Sequence, residues 1–159
     1  MHVRPLDTPM PFLSKTRHRE RYVESHLTAE RLADIRTLLD SLQRLQVALA
    51  LKKKMLVHGI WQVSEATGGF YPRYRSEGVI RTVGVKIQRD HIYQKRTLVE
   101  QLLAPDPDLE AIIERARCCI VTKDEHDRLH QVDGGLDGWD RYRAAGVIVY
   151  DMCDETRVV

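Results

Sequence analysis

The chain contains no asparagine, only two phenylalanines and three cysteines in 159 residues. Cys118 and Cys119 are adjacent and Cys153 stands alone. That pattern cannot build a disulfide framework and fits a reducing compartment. No Cys-x₂₋₄-Cys pair is present, which argues against a closed structural zinc site. No apolar run approaches the roughly 20 residues of a membrane span. The opening stretch MHVRPLDTPMPF lacks the long apolar region of a signal peptide. A soluble, cytoplasmic protein with no membrane partner is the expectation.

What is present is ordinary for a globular chain: 43% hydrophobic and 30% charged residues. The length suits one domain with an appendage. The net charge is only +2, but it is unevenly placed. Residues 1–58 hold 11 Lys/Arg against 6 Asp/Glu, residues 71–97 hold 7 against 2, and residues 98–140 hold 4 against 11. Two basic segments suited to a polyanion therefore precede an acidic one suited to a cation. The stretches KTRHRERY and YPRYR interleave arginines with Tyr22, Tyr71 and Tyr74. Contacts of that kind grip phosphate backbones and carry little sequence information.

The pattern along the chain predicts an α+β fold. Residues 1–27 read as a basic arm. Thr28 is the expected N-cap of a long helical segment running to about residue 70, with its kink expected at Gly59. Leu32, Ile35, Leu39 and Leu42 give it a helical stripe. That stripe faces its own domain or a second copy in a homodimer. Gly68-Gly69 ends the segment, and FYPRY reads as loop. Residues 78–93 are rich in β-branched residues and predict one or two strands with a turn near Gly84. Two short helices follow, over 97–103 and, capped by Asp108, from Leu109. CCIVT reads as a buried strand. TKDE is a capping box that starts a helix at Thr122 running to about Gln131. A short WDRYRAAG helix and a final VIVYDM strand complete residues 71–159. Trp139 and Tyr142, three apart on one helical face, are expected to pack against that strand.

The chemistry concentrates in two places. His126 and His130 stand at i and i+4, so both imidazoles share one helical face within reach of one ion. Asp90 and His91 end a predicted strand, where a carboxylate could hold a divalent cation and an imidazole could take a proton from water. Arg89, Lys95 and Arg96 flank that pair, and Arg73 and Arg75 lie in the basic stretch before it. All five are candidate phosphate contacts. A structural zinc site on Cys119, His126 and His130, with Cys118 or Cys153, is the competing use of these histidines.

The order strand, Asp-His, insert, strand, capped His-x-x-x-His helix resembles the HNH nucleases, the ββα-metal or His-Me finger class, over residues 78–131. The Trp-x-x-Tyr segment that follows is similar to that of small HNH-like proteins with a helical insert. The resemblance implies a ββα-metal-like core with a helical insert and a C-terminal helix-strand segment. It implies one divalent ion, Mg²⁺, Mn²⁺, Zn²⁺ or Ni²⁺, held by Asp90, His126 and His130, with His91 as general base. It implies hydrolysis of phosphodiester bonds in DNA, with RNA as the second substrate class. The chain departs from the family in lacking the middle Asn that orients the base. Glu114, Arg117 or Cys118 lies near that place. The alternative is a non-catalytic nucleic-acid- or protein-binding module on a degenerate HNH core.

Overall fold

A computed structural model describes residues 17–132 and 134–159. Most of the expected basic arm therefore lies outside the described residues. Seven α-helices and a five-stranded sheet are present among them, so the protein is of mixed helix-and-sheet class. No described helix is long and apolar enough to cross a membrane. The residues fall into two compact units that interleave along the sequence.

The helical unit comprises 24–69 and 91–117. It contains α1 (Thr28–Arg44), α2 (Leu49–Ala66), α4 (Lys95–Leu103) and α5 (Leu109–Arg115). Ile35, Leu39 and Leu42 of α1 bury against Leu56, Ile60 and Val63 of α2 and against Leu98, Leu102 and Ile112 of the insert. The insert between Asp90 and Cys118 thus completes the core of the N-terminal helices, a partition that a linear division of the chain does not foresee.

Two expectations are corrected in this unit. The long helix does not kink at Gly59. It breaks at residues 45–48, where Leu45 and Ala48 are extended. No Gly or Pro stands there, so burial of the two leucine faces on each other overrides local helix propensity. Gly59 instead permits close packing, because a Cβ there would sit 2.7 Å from Leu39 Cδ2. Thr28 does not cap α1 either. Its hydroxyl is buried and donates to the Ala66 carbonyl at 3.3 Å, tying the start of α1 to the end of α2.

Among the described residues the sheet unit comprises 17–23, 70–90, 118–132 and 134–159. Its strands are β1 (Tyr74–Ser76), β2 (Ile87–His91, whose last residue belongs to the helical unit), β3 (Cys118–Thr122), β4 (Val149–Asp151) and β5 (Thr156–Arg157). The order in the sheet is β2-β3-β1-β4-β5. β1 runs parallel to β3, with Tyr74 opposite Cys119, and antiparallel to β4, with Arg75 opposite Tyr150. At the ends of the β2–β3 pair, Lys123 N–H donates to Lys86 O and Ile92 N–H to Arg117 O, so β2 and β3 run antiparallel. Cys118, Cys119, Ile120 and Val121 are all buried, as the apolar run CCIV predicts.

The reading of 78–93 as strand holds only for its second half. Residues Glu77–Arg81 form a short helix, α3. Ser76 caps it, its Oγ accepting from Val79 N–H at 3.2 Å, and the turn buries Val79 and Ile80. The cap outweighs the β preference of those residues. Likewise the stretch FYPRY, read as loop, ends in Tyr74, the first residue of the central strand β1. The remaining helices are α6 (Lys123–His130) and α7 (Gly138–Ala144).

Candidate metal centre

The helix that carries the histidines is fixed by its first turn. Thr122 Oγ1 accepts from Glu125 N–H at 3.2 Å, and Glu125 Oε2 accepts from Thr122 N–H at 2.8 Å, the expected capping box. Glu125 does more than cap. Its buried carboxylate also accepts from Ser76 Oγ at 2.5 Å and from Gly78 N–H at 3.3 Å. The junction of β1 and α3 is thereby locked to the start of α6.

On that helix His126 Nε2 and His130 Nε2 lie 3.1 Å apart. Two imidazoles on one ion, with bonds of about 2.0–2.1 Å, place their nitrogens roughly 2.9–3.4 Å apart between octahedral and tetrahedral angles. The spacing also suits a hydrogen bond between the rings, one donating and one accepting. Asp90 supplies the third ligand atom from the end of β2. Its Oδ1 stands 3.8 Å from His126 Nε2, and ligand atoms of Asp90, His126 and His130 all lie within 4.8 Å of one another. Two imidazole nitrogens and a carboxylate oxygen are a donor set that transition ions accept. The histidines are reachable: His126 is half-buried and His130 exposed. Burial, and then His130, hold the pKa of His126 below the ordinary histidine value, against the pull of Asp90. A neutral imidazole is the ligating form.

The other oxygen of Asp90 is occupied. Oδ2 accepts from Arg141 Nη2 at 2.5 Å and from the Tyr142 hydroxyl at 2.5 Å. Both donors come from α7, and Asp90, Arg141 and Tyr142 are all buried. Burial first, then the charges of Cys119 and Asp90, push the Tyr142 phenol well above its ordinary pKa, so it stays protonated and donates. Tyr142 also packs against Trp139, whose second ring contact is with Tyr74 of β1, not with the expected final strand. Trp139 sits edge-on between Tyr74 at 5.1 Å and Tyr142 at 5.3 Å. The roles of Arg141 and Tyr142 at Asp90 were not readable from local pattern. Their one sequence signal is a buried aromatic beside an arginine on a short helix, which packing explains equally well.

The remaining expected site residues scatter. His91 is buried in the helical unit, its ring 4.4 Å edge-on from Trp61. In that unit Lys95 Nζ lies 4.5 Å over the Trp61 ring, and exposed Arg96 pairs loosely with Glu100 at 3.9 Å. In the sheet unit Arg89 lies over Phe70 at 4.7 Å, and Arg73 pairs with Asp151 at 2.6 Å. Arg75 turns inward instead of toward a ligand. It is 2% exposed, and its guanidinium donates to the carbonyls of Pro72, Arg17, His18 and Glu20 at 2.7–3.2 Å. It pins the segment before β1 to the sheet.

The cysteines stay out of the centre. Cys119 is fully buried, and burial raises its thiol pKa well above the ordinary value, the state of an inert thiol. No protein-family model, no curated protein and no solved structure matches this chain.

Proposed function

We propose that the protein is a metal-dependent phosphodiesterase, an endonuclease acting on DNA with RNA as the second substrate class. The observation that carries this is the convergence of Asp90 Oδ1, His126 Nε2 and His130 Nε2 at the end of β2 and on the helix after β3. The antiparallel β2–β3 pair followed directly by α6 supports this reading. A bound dication supplies neutralisation of the charge that builds on the phosphate and the leaving oxygen. Asp90, His126 and His130 hold it, and β3 and the Glu125 cap aim the two imidazoles. The base role belongs to His91 on the strength of its place after Asp90 in the chain. Arg89, Lys95 and Arg96 are the phosphate contacts of this reading on the strength of flanking the Asp90-His91 pair in the chain.

A second reading is favoured by one specific fact, the lack of any asparagine to orient the base. It makes the chain a non-catalytic nucleic-acid-binding module on the same core.

Plasmid and oligonucleotide cleavage, with Mg²⁺, Mn²⁺, Zn²⁺ or Ni²⁺ in turn, tests between them. Metal-dependent nicking that EDTA stops, and that His91→Ala and His126→Ala both lose, is the expected result. Salt-sensitive binding with no cleavage under any metal supports the module. Cleavage that survives both substitutions rules out this centre.

A further inference from the structure

We infer that the centre takes a borderline transition ion of the Zn²⁺, Co²⁺ or Ni²⁺ kind in preference to Mg²⁺ or Ca²⁺, and that Arg141 and Tyr142 are positioning residues that enforce this by leaving Asp90 one oxygen to offer. The inference rests on the metal centre of the reading above but not on cleavage.

Three observations carry it. The first is the division of Asp90. Arg141 and Tyr142 both donate to Oδ2, and it is Oδ1 that stands 3.8 Å from His126 Nε2. A carboxylate so held binds an ion through one oxygen. Ca²⁺ takes about 6–8 oxygens and commonly a bidentate carboxylate, which this geometry withholds. The second is charge. Arg141 cancels the charge of Asp90 within the buried pair. Among the described residues, two carboxylates beside the histidines on α6 are committed elsewhere. Asp127 is exposed and pairs with Lys123 at 2.6 Å, and Glu125 is held by Ser76, Thr122 and Gly78. Hard cations depend on accumulated negative ligand charge, and these three carboxylates are each tied to another donor. The third is donor type. Two of the three ligand atoms are imidazole nitrogens, which suit Zn²⁺ and Ni²⁺ far better than Mg²⁺. Three protein ligands also leave coordination positions free for a substrate oxygen, as in catalytic zinc sites.

The test is a Co²⁺ titration of the full, metal-stripped chain followed by visible absorbance, with Mg²⁺ and Ca²⁺ as competitors. The wild type should bind one Co²⁺ with the strong absorption of low coordination number, and about a hundredfold excess of Mg²⁺ or Ca²⁺ should not displace it. Tyr142→Phe removes one donor from Oδ2 and keeps the ring. It should weaken Co²⁺ binding roughly 10–100-fold and reduce the band intensity, because the freed second oxygen raises the coordination number. A merely structural role for Tyr142 would not move that band in a chain whose circular dichroism is unchanged. Arg141→Lys, which keeps the charge and loses the fork, should act in the same direction if Tyr142→Phe does not fold. Displacement by equimolar Mg²⁺, or wild-type affinity and spectrum in both variants, would overturn the inference. Co²⁺ binding as described without plasmid cleavage would uphold it and sink the nuclease reading. No Co²⁺ binding by the wild type would remove the centre and both.

Discussion

Gly78 and Glu125 approach so closely that a Cβ on Gly78 would stand 2.5 Å from Glu125 Oε1 and 2.9 Å from Cδ. Glu125 cannot swing aside, because Ser76, Thr122 and the Gly78 amide all donate to its carboxylate. Gly78→Ala should therefore cost about 1–3 kcal/mol, the range for overpacking a filled interior. In a chain of this size that lowers Tm by several degrees, roughly 2–4 °C per kcal/mol. Thermal unfolding by circular dichroism reads it directly. A Tm within a degree of wild type would mean that the carboxylate is not held as described.

Arg75 offers a sharper contrast, since two roles for it predict different measurements. As a phosphate contact its loss would lower the salt dependence of nucleic-acid binding and leave the fold alone. As the pin for residues 17–20 its loss should free that segment. Arg75→Lys keeps the charge but loses the planar fork that reaches several carbonyls at once. Limited trypsin digestion should then cut faster between Arg17 and Arg21 than in wild type, with the salt slope unchanged. An unchanged digestion pattern and a reduced slope would restore Arg75 to the nucleic-acid interface.

Two groups in the sheet unit tie stability to pH in separate windows. Burial first, then Arg75 and Arg17, hold the His18 pKa below its ordinary 6.5. The unfolded chain binds that proton more readily, so the His18 contribution is full above pH 6.5 and is lost as pH falls through the lowered folded value. Asp151 behaves as a paired carboxylate. Burial would raise its pKa, but the hydrogen bonds from Arg73 and the Cys153 amide outweigh that and hold it below 3.8. Its contribution is present above 3.8 and disappears only as pH falls below that. Denaturant midpoints from pH 8 to pH 3 should show both losses. His18→Phe should flatten the upper one and Asp151→Asn the lower one. A profile flat from pH 7 to 5 in the wild type would contradict the His18 assignment.

Local chemistry made parts of this structure legible in advance. The capping box at Thr122 and the Asp108 cap, which accepts from Ala111 N–H at 3.0 Å, are contained within four residues each, and both form as read. The i, i+4 spacing of His126 and His130 carries their shared face in the same way. What stayed hidden depends on partners far along the chain. Ser76 turns the β-branched stretch Gly78–Ile80 into a helix only where β1 ends, and β1 is a strand only because β3 and β4 flank it. Asp90 is separated from Arg141 by 51 residues and from Tyr142 by 52. No local pattern distinguishes an arginine that will neutralise a buried carboxylate from one that faces water.

That pairing decides how the centre should be probed. Asp90→Ala removes a candidate ligand, and it also removes the carboxylate that pairs with the buried Arg141 guanidinium. Breaking a buried pair from one side costs about 3–5 kcal/mol. Asp90→Ala should therefore lose stability along with metal binding, and loss of activity in it would say little about ligation. Replacing both partners removes both charges of the pair. The double variant Asp90→Ala/Arg141→Met should recover most of the lost stability while binding no more metal than the single variant. His126→Ala, which removes a half-buried ring and takes no partner from the buried Asp90–Arg141 pair, should lose metal binding with a much smaller change in denaturant midpoint. The measurement is a double-mutant cycle on unfolding free energy with metal affinity read in parallel. Additive losses in the double variant would show that Arg141 and Asp90 do not depend on each other. Recovery of stability together with metal binding would show that Asp90 is not a ligand at all.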